Sequence, residues 1–271
     1  MDALRLVDDW PVDTAAVAVV RRGGLVLGSR GLTDQVLPLA SVTKPLAAYA
    51  LLVAVEEEAL TLDDPAGPEG STVRHLLAHA SGLAPGRRES VAAPGTRRIY
   101  SNAGYEVLGE TLEKASGIGF AGYLREAVLA PLGMSGARLD GSPAVDGHAS
   151  VDDLALFVAE LMAPRLVDPS TLAEATSVQF PGLSGILPGF GRQESNDWGL
   201  GFELRDHKSP HWTGAANSPA TFGHFGQSGT FLWVDPSGGL ACVCLTDRTF
   251  DTWATELWPP LADAVLAEAA A

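Results

Sequence analysis

The chain has 271 residues, 46% of them hydrophobic and 19% charged, and a formal net charge of -15. That length buries roughly three quarters of the unfolded surface, enough for a sizeable core, and the composition is that of a globular protein. The acidity excludes a nucleic-acid backbone and an anionic membrane as expected partners, because both repel it, and no apolar run reaches bilayer-spanning length.

The first residues, "MDALRLVDDWPVD", place acids where a secretory leader has basic residues and lack its uninterrupted apolar segment, so a cytoplasmic location is expected. From Ala15, "AAVAVVRRGGLVLGSRG" reads as two short β runs about Gly23 and Gly24, a hairpin signal. After Ser41 the period changes. Leu46, Tyr49, Ala50, Val53 and Ala54 recur at helical spacing towards Glu58, with Pro45 in the first turn, where its missing N–H does little harm.

From Thr61 to about Pro219 the chain reads mainly as helix and loop. "STVRHLLAHASGL" caps a short helix with Ser71 or Thr72, "NAGYEVLGETLEKASG" is a second helix closed by Gly117, and "ASVDDLALFVAELMA" is a third. Gly- and Pro-rich spans from Pro85 to Gly95 and from Pro181 to Gly191 read as surface loops. Strand patterns then return in "WGLGFELRD", "TFGHFGQSGTFLWVD" and "GGLACVCLTDR", and "TWATELWPPLADAVLAEAAA" reads as a closing helix. Cys242 and Cys244, the chain's two cysteines, lie two apart on a strand, point to one face and are expected as buried thiols.

Strands at both ends with helices between predict an α/β (α+β) fold in which the two ends share one antiparallel sheet. No repeat or linker divides the chain. A single domain over 1–271 is expected, with a sheet part from 1–40 and 195–271 and a helical part from 41–194.

Three short segments could carry chemistry. Ser41 precedes Lys44 by three residues where the helix opens, so an amine can reach the hydroxyl. A serine is a weak nucleophile until a base takes its proton, and a lysine with a burial-lowered pKa can be that base. Thr111 and Lys114 share the spacing but sit late in a helix and read as a surface pair. The second segment is "YSN". Ser101 or Asn102 is a possible helix cap, and in a functional reading the phenol of Tyr100 shares proton transfer while the amide of Asn102 orients substrate. The third is "FGHFGQSG", where glycines about His224 let a strand approach another group closely. Ser228 lies nearby, but the G-x-S-x-G elbow is absent.

Together and in this order, these segments resemble the serine beta-lactamase and penicillin-binding-protein superfamily, particularly its class C-like branch with DD-peptidases and related esterases. Ser41 and Lys44 match its S-x-x-K, Tyr100 and Asn102 its Y-x-N, and His224 with Gly226 its third motif, usually K-T-G or H-T-G. "LLAHASGL", "YSNAGYEVLG" and "LAPLGMSG" add to the likeness, which runs from about Ala15 to Asp247. The resemblance implies a beta-lactamase/transpeptidase-like fold with the site between sheet and helical region, and hydrolysis through an acyl-enzyme on Ser41. It implies proton handling by Lys44 and Tyr100, substrate contact by Asn102, His224 and Gly226, and an oxyanion hole from the N–H groups of Ser41 and Gln227.

Two departures bear on substrate. His224 replaces the third-motif lysine and is mostly neutral near pH 7 at an unperturbed pKa of about 6.5, so attraction for a substrate carboxylate weakens. Phe225 replaces a small hydroxyl residue and points the same way. No E-x-x-L-N segment lies between Val151 and Gln193, which argues against deacylation by a glutamate. A small ester is therefore the expected substrate. A beta-lactamase or D-amino-acid peptidase is the nearest alternative, and a catalytically quiet module that binds acyl ligands is another. No cofactor or metal is expected: His75 and His79 in "HLLAH" lack the glutamate of H-E-x-x-H and read as structural. The pairs Arg87–Arg88 and Arg97–Arg98 read as parts of a solvated loop. The expected partner is a small acyl substrate, with oligomeric state open.

Overall fold

The computed structural model describes residues 1–271. A 3-10 helix (Asp2–Asp9) precedes strand β1 (Ala15–Arg21), which turns through Gly23 and Gly24, at φ 93° and 83°, into β2 (Leu25–Arg30). Glycine adopts such φ values without a Cβ penalty, and the hairpin is the one expected. β3 (Leu37–Pro38) and a 3-10 turn (Ala40–Val42) lead into α1 (Thr43–Glu56). Next come α2 (Val73–Leu77), α3 (Asn102–Ser116), and α4 (Phe120–Leu124), which runs through a π-turn (Arg125–Leu129) into α5 (Ala130–Leu132). β4 (Arg138–Leu139), β5 (Gly147–Ala149), α6 (Val151–Met162) and α7 (Pro169–Ala175) follow. The hairpin of β6 (Gly185–Leu187) and β7 (Gly191–Gln193) precedes β8 (Glu203–Leu204), β9 (Phe222–Gly226), β10 (Thr230–Asp235), β11 (Leu240–Thr246) and α8 (Thr252–Ala270).

The two chain ends share a six-stranded antiparallel sheet in the order β2-β1-β11-β10-β9-β8, with Val17 opposite Cys244. Both faces are covered. Val17, Val19, Cys242 and Cys244 pack with Trp258 and Val265 of α8, whereas Ala16, Ala18, Val243 and Leu245 pack with Tyr49 of α1 and Phe157 of α6. Burial on both sides explains why "AAVAVV" and "LACVCL" are unbroken apolar runs rather than alternating ones. The cysteines are free and buried on one face, and burial pushes the Cys242 thiol up.

Helix α1 is buried on every side from Thr43 to Ala54. Its apolar residues therefore extend beyond the single face that helical spacing picked out. The helix ends are set by local chemistry. Ser101 Oγ accepts from Gly104 N (3.1 Å) at the start of α3, Gly117 closes it at φ 72°, and Ser150 forms a capping box with Asp153 at α6.

The middle region holds more than helices and loops. β3, β5 and β4 form a small sheet, and the expected loop from Pro181 to Gly191 contains most of the β6–β7 hairpin. These strands have two or three residues each, too short for a period to register, and they form because tertiary neighbours supply the pairing. No helix is long and apolar enough to cross a membrane.

Candidate active site

The segment before α1 is clamped by the β9–β10 turn. Thr230 Oγ1 donates to Leu39 O (2.9 Å) and Ser228 Oγ to Pro38 O (2.9 Å), so Ser228 serves as an anchor. Ala40 sits at φ 45°, a costly conformation for a residue with a Cβ, immediately before Ser41. The 3-10 turn that follows presents Ser41 ahead of the regular helix and Lys44 within its first turn.

Lys44 is fully buried. Its Nζ donates to Asn102 Oδ1 (2.7 Å) and to Ala144 O (2.9 Å), and stands 3.3 Å from Ser41 Oγ. Burial drives its pKa well below the ordinary lysine value, against a smaller opposing pull from Glu106. A neutral amine has two N–H donors and one lone pair. Asn102 Oδ1 and Ala144 O can only accept, so they take the two donors and leave the lone pair for the Ser41 hydroxyl.

Ser101 is the cap of α3, which frees the Asn102 side chain for Lys44. The Tyr100 ring lies 4.6 Å beneath Lys44 Nζ and is held among His79 (4.4 Å between centroids), Trp198 (5.8 Å) and His224 (5.8 Å). Its hydroxyl is buried beside Ser41 without a hydrogen bond of good geometry, and burial raises its pKa. His79, at φ 54°, accepts from Ser101 N through Nδ1 (3.1 Å), so the "LLAHASGL" segment positions the tyrosine. Burial lowers the pKa of His79 well below 6.5. His75 stacks on Phe180 at 4.3 Å and bonds Thr72 Oγ1 (2.9 Å), so the two imidazoles have separate structural partners.

His224 and Gly226 lie on β9, where Gly226 packs against the Ser41 amide: a Cβ there would stand 3.2 Å from Ser41 N. His224 Nδ1 lies 2.7 Å from Phe225 O. Burial, then the charge of Lys44, lowers the His224 pKa to about 3, so the imidazole is neutral. Phe225 reaches the cleft while packing on Phe250 (4.8 Å) and Trp258 (6.0 Å). Gln227 is exposed, and its Nε2 donates to Phe250 O (3.0 Å).

Ser41, Tyr100, His224, Phe225 and Gln227 thus face one narrow cleft of about 100 Å³. Leu187, Pro188, Trp198 and Glu203 complete its wall, and no motif names them. Leu187 and Pro188 arrive on the β6–β7 hairpin. Glu203 is buried and accepts from His211 Nε2 (2.9 Å), Trp212 Nε1 (2.9 Å) and Lys208. Burial alone would raise its carboxyl, but His211 and Lys208 outweigh that and hold it at about 2. Of the four loop arginines, Arg87, Arg88 and Arg97 are exposed as expected, and Arg98 departs from that expectation. Arg98 is buried and donates to the carbonyls of Ala78, Asn196, Gln179 and Phe180, because closing three loop segments over the site leaves those acceptors without other partners, whereas Arg97 is exposed.

Fold and cleft define a beta-lactamase-like serine hydrolase, with helices against an antiparallel sheet and a serine–lysine pair where they meet. The chain belongs to the Beta-lactamase family, whose pattern it matches over residues 6–267. A beta-lactamase from Mycobacterium bovis superposes with a TM-score of 0.97 at 57% identity, covering 98% of this chain and 99% of that one. Esterase EstB of Burkholderia gladioli is 26% identical over 93% of this chain and 90% of its own length. Penicillin-binding protein 4* of Bacillus subtilis is 29% identical over 57% of this chain, a match that spans 41% of that protein.

Proposed function

We propose that the protein hydrolyses a small, uncharged ester through an acyl-enzyme on Ser41. The observation that carries this reading is the buried Lys44 amine, 3.3 Å from Ser41 Oγ with its two other hydrogen-bonding directions occupied. Ser41 Oγ attacks the ester carbonyl as its proton passes to Lys44 Nζ, and Tyr100, next to both, relays a proton to the departing alkoxide. The N–H groups of Ser41 and Gln227 receive the oxyanion. Water then attacks the acyl carbon, gives a proton to the same base, and releases acid and free Ser41. Asn102 holds the amine in place through Oδ1. The neutral His224 supplies no cation for a carboxylate.

Turnover of p-nitrophenyl butyrate by the wild type and by Ser41→Ala tests the reading. Loss of about 10³-fold or more in the variant is expected, and equal rates would end the proposal. A second reading, a beta-lactamase, is favoured by the 57% identity to the Mycobacterium bovis protein. Rapid hydrolysis of a chromogenic cephalosporin with slow ester turnover would select it.

A further inference from the structure

One polar atom in the cleft has no use within the protein. His224 Nδ1 faces Phe225 O at 2.7 Å, and a carbonyl only accepts, so Nδ1 carries the ring proton. Nε2 is therefore a bare lone pair. It is buried without a hydrogen-bond partner on a residue only 4% exposed, and the ring lines the same cleft as Ser41. Its aromatic neighbours are Trp198 at 5.4 Å and Tyr100 at 5.8 Å, and the Tyr100 hydroxyl is also unpartnered.

Native proteins leave few buried acceptors unpaired, and one beside a nucleophile awaits a donor from outside the chain. The nearby acceptor that could compete, Glu203, is already saturated by Lys208, His211 and Trp212.

Resting on the ester-hydrolase reading, we infer that His224 determines specificity by accepting a hydrogen bond from a hydroxyl or N–H of the substrate. The acyl substrates then carry such a donor near the reacting carbonyl rather than a carboxylate. A carboxylate would set its own lone pairs against Nε2. A plain alkyl chain would leave Nε2 dry and unpaired, which is how a polar pocket rejects an analogue lacking the matching group.

The test is kcat/KM on matched esters. The acyl arm compares p-nitrophenyl butyrate, 3-hydroxybutyrate and hemisuccinate; the leaving-group arm compares ethyl and 2-hydroxyethyl butyrate by acid release. The hydroxylated member is expected to be favoured about tenfold or more in one arm, which tells where the donor sits, and the hemisuccinate to be poorest. In His224→Phe that preference collapses to about twofold or less, whereas His224→Gln, which retains an acceptor, keeps part of it. No preference in either arm, a preference intact in His224→Phe, or a hemisuccinate favoured by the wild type overturns the inference. Should His224→Phe not fold, the wild-type ranking decides by itself. Ser41→Ala run alongside separates the two levels: ester turnover that survives it sinks the hydrolase reading, and Ser41-dependent turnover without a donor preference sinks only this one.

Discussion

Gly226 and Ser41 are in backbone contact across the two parts of the fold: a Cβ on Gly226 would lie 3.2 Å from Ser41 N, 2.4 Å from Leu39 O and 2.5 Å from Thr230 Oγ1. Only a glycine lets β9 come this close to the 3-10 turn that presents the serine. Gly226→Ala must therefore push the strand away from the Ser41 amide. A fall in kcat of about 10²-fold is expected from a misplaced oxyanion site, with about 1–3 kcal/mol of lost stability from overpacking. Gly119→Ala, where a Cβ meets nothing within 4 Å, is the control in steady-state kinetics and denaturant unfolding.

Tyr100→Phe separates chemistry from stability. The hydroxyl is buried without a hydrogen-bond partner, so its removal leaves nothing unsatisfied, and the unfolding temperature should hold or rise slightly. If Tyr100 relays a proton as proposed, its loss next to Ser41 lowers kcat by about 10²-fold. A variant with full activity would remove Tyr100 from the mechanism.

The pH profile should carry the signature of Lys44. Its pKa in the folded protein lies well below 10.5 because burial disfavours the ammonium. The proposed mechanism uses the neutral amine, so kcat/KM is expected to rise with pH through that lowered pKa and then level. His224, held at about 3, adds no step near 6.5, and His224→Gln should leave the shape of the acid limb in place. A limb that disappears in His224→Gln would transfer the titration to the histidine.

Arg98 should matter to stability far more than Arg97, although the two are adjacent. Arg98→Ala abandons the buried carbonyls of Ala78, Asn196 and Gln179 and the half-buried one of Phe180, and is expected to cost about 3 kcal/mol or more. Lysine lacks the planar fork and should not restore it. The exposed Arg97→Ala should stay within about 0.5 kcal/mol in urea unfolding.

Much of this protein is written in local pattern. The hairpin at Gly23 and Gly24, the cap at Ser101, the apolar helix after Ser41 and the paired thiols on β11 follow from backbone sterics and residue periodicity, which act over a few neighbours. The order of S-x-x-K, Y-x-N and H-x-G along the chain was legible for the same reason, together with the family it resembles. What spacing does not encode is distance between segments far apart in sequence. The placement of Asn102 Oδ1 and Ala144 O around Lys44 Nζ, the burial of Arg98 and the two-residue strand carrying Glu203 all arise when separate segments meet. So do the low pKa values of Lys44 and His224. Solvent exclusion and the supply of hydrogen-bond partners are properties of the assembled cleft, and only the tertiary structure sets them.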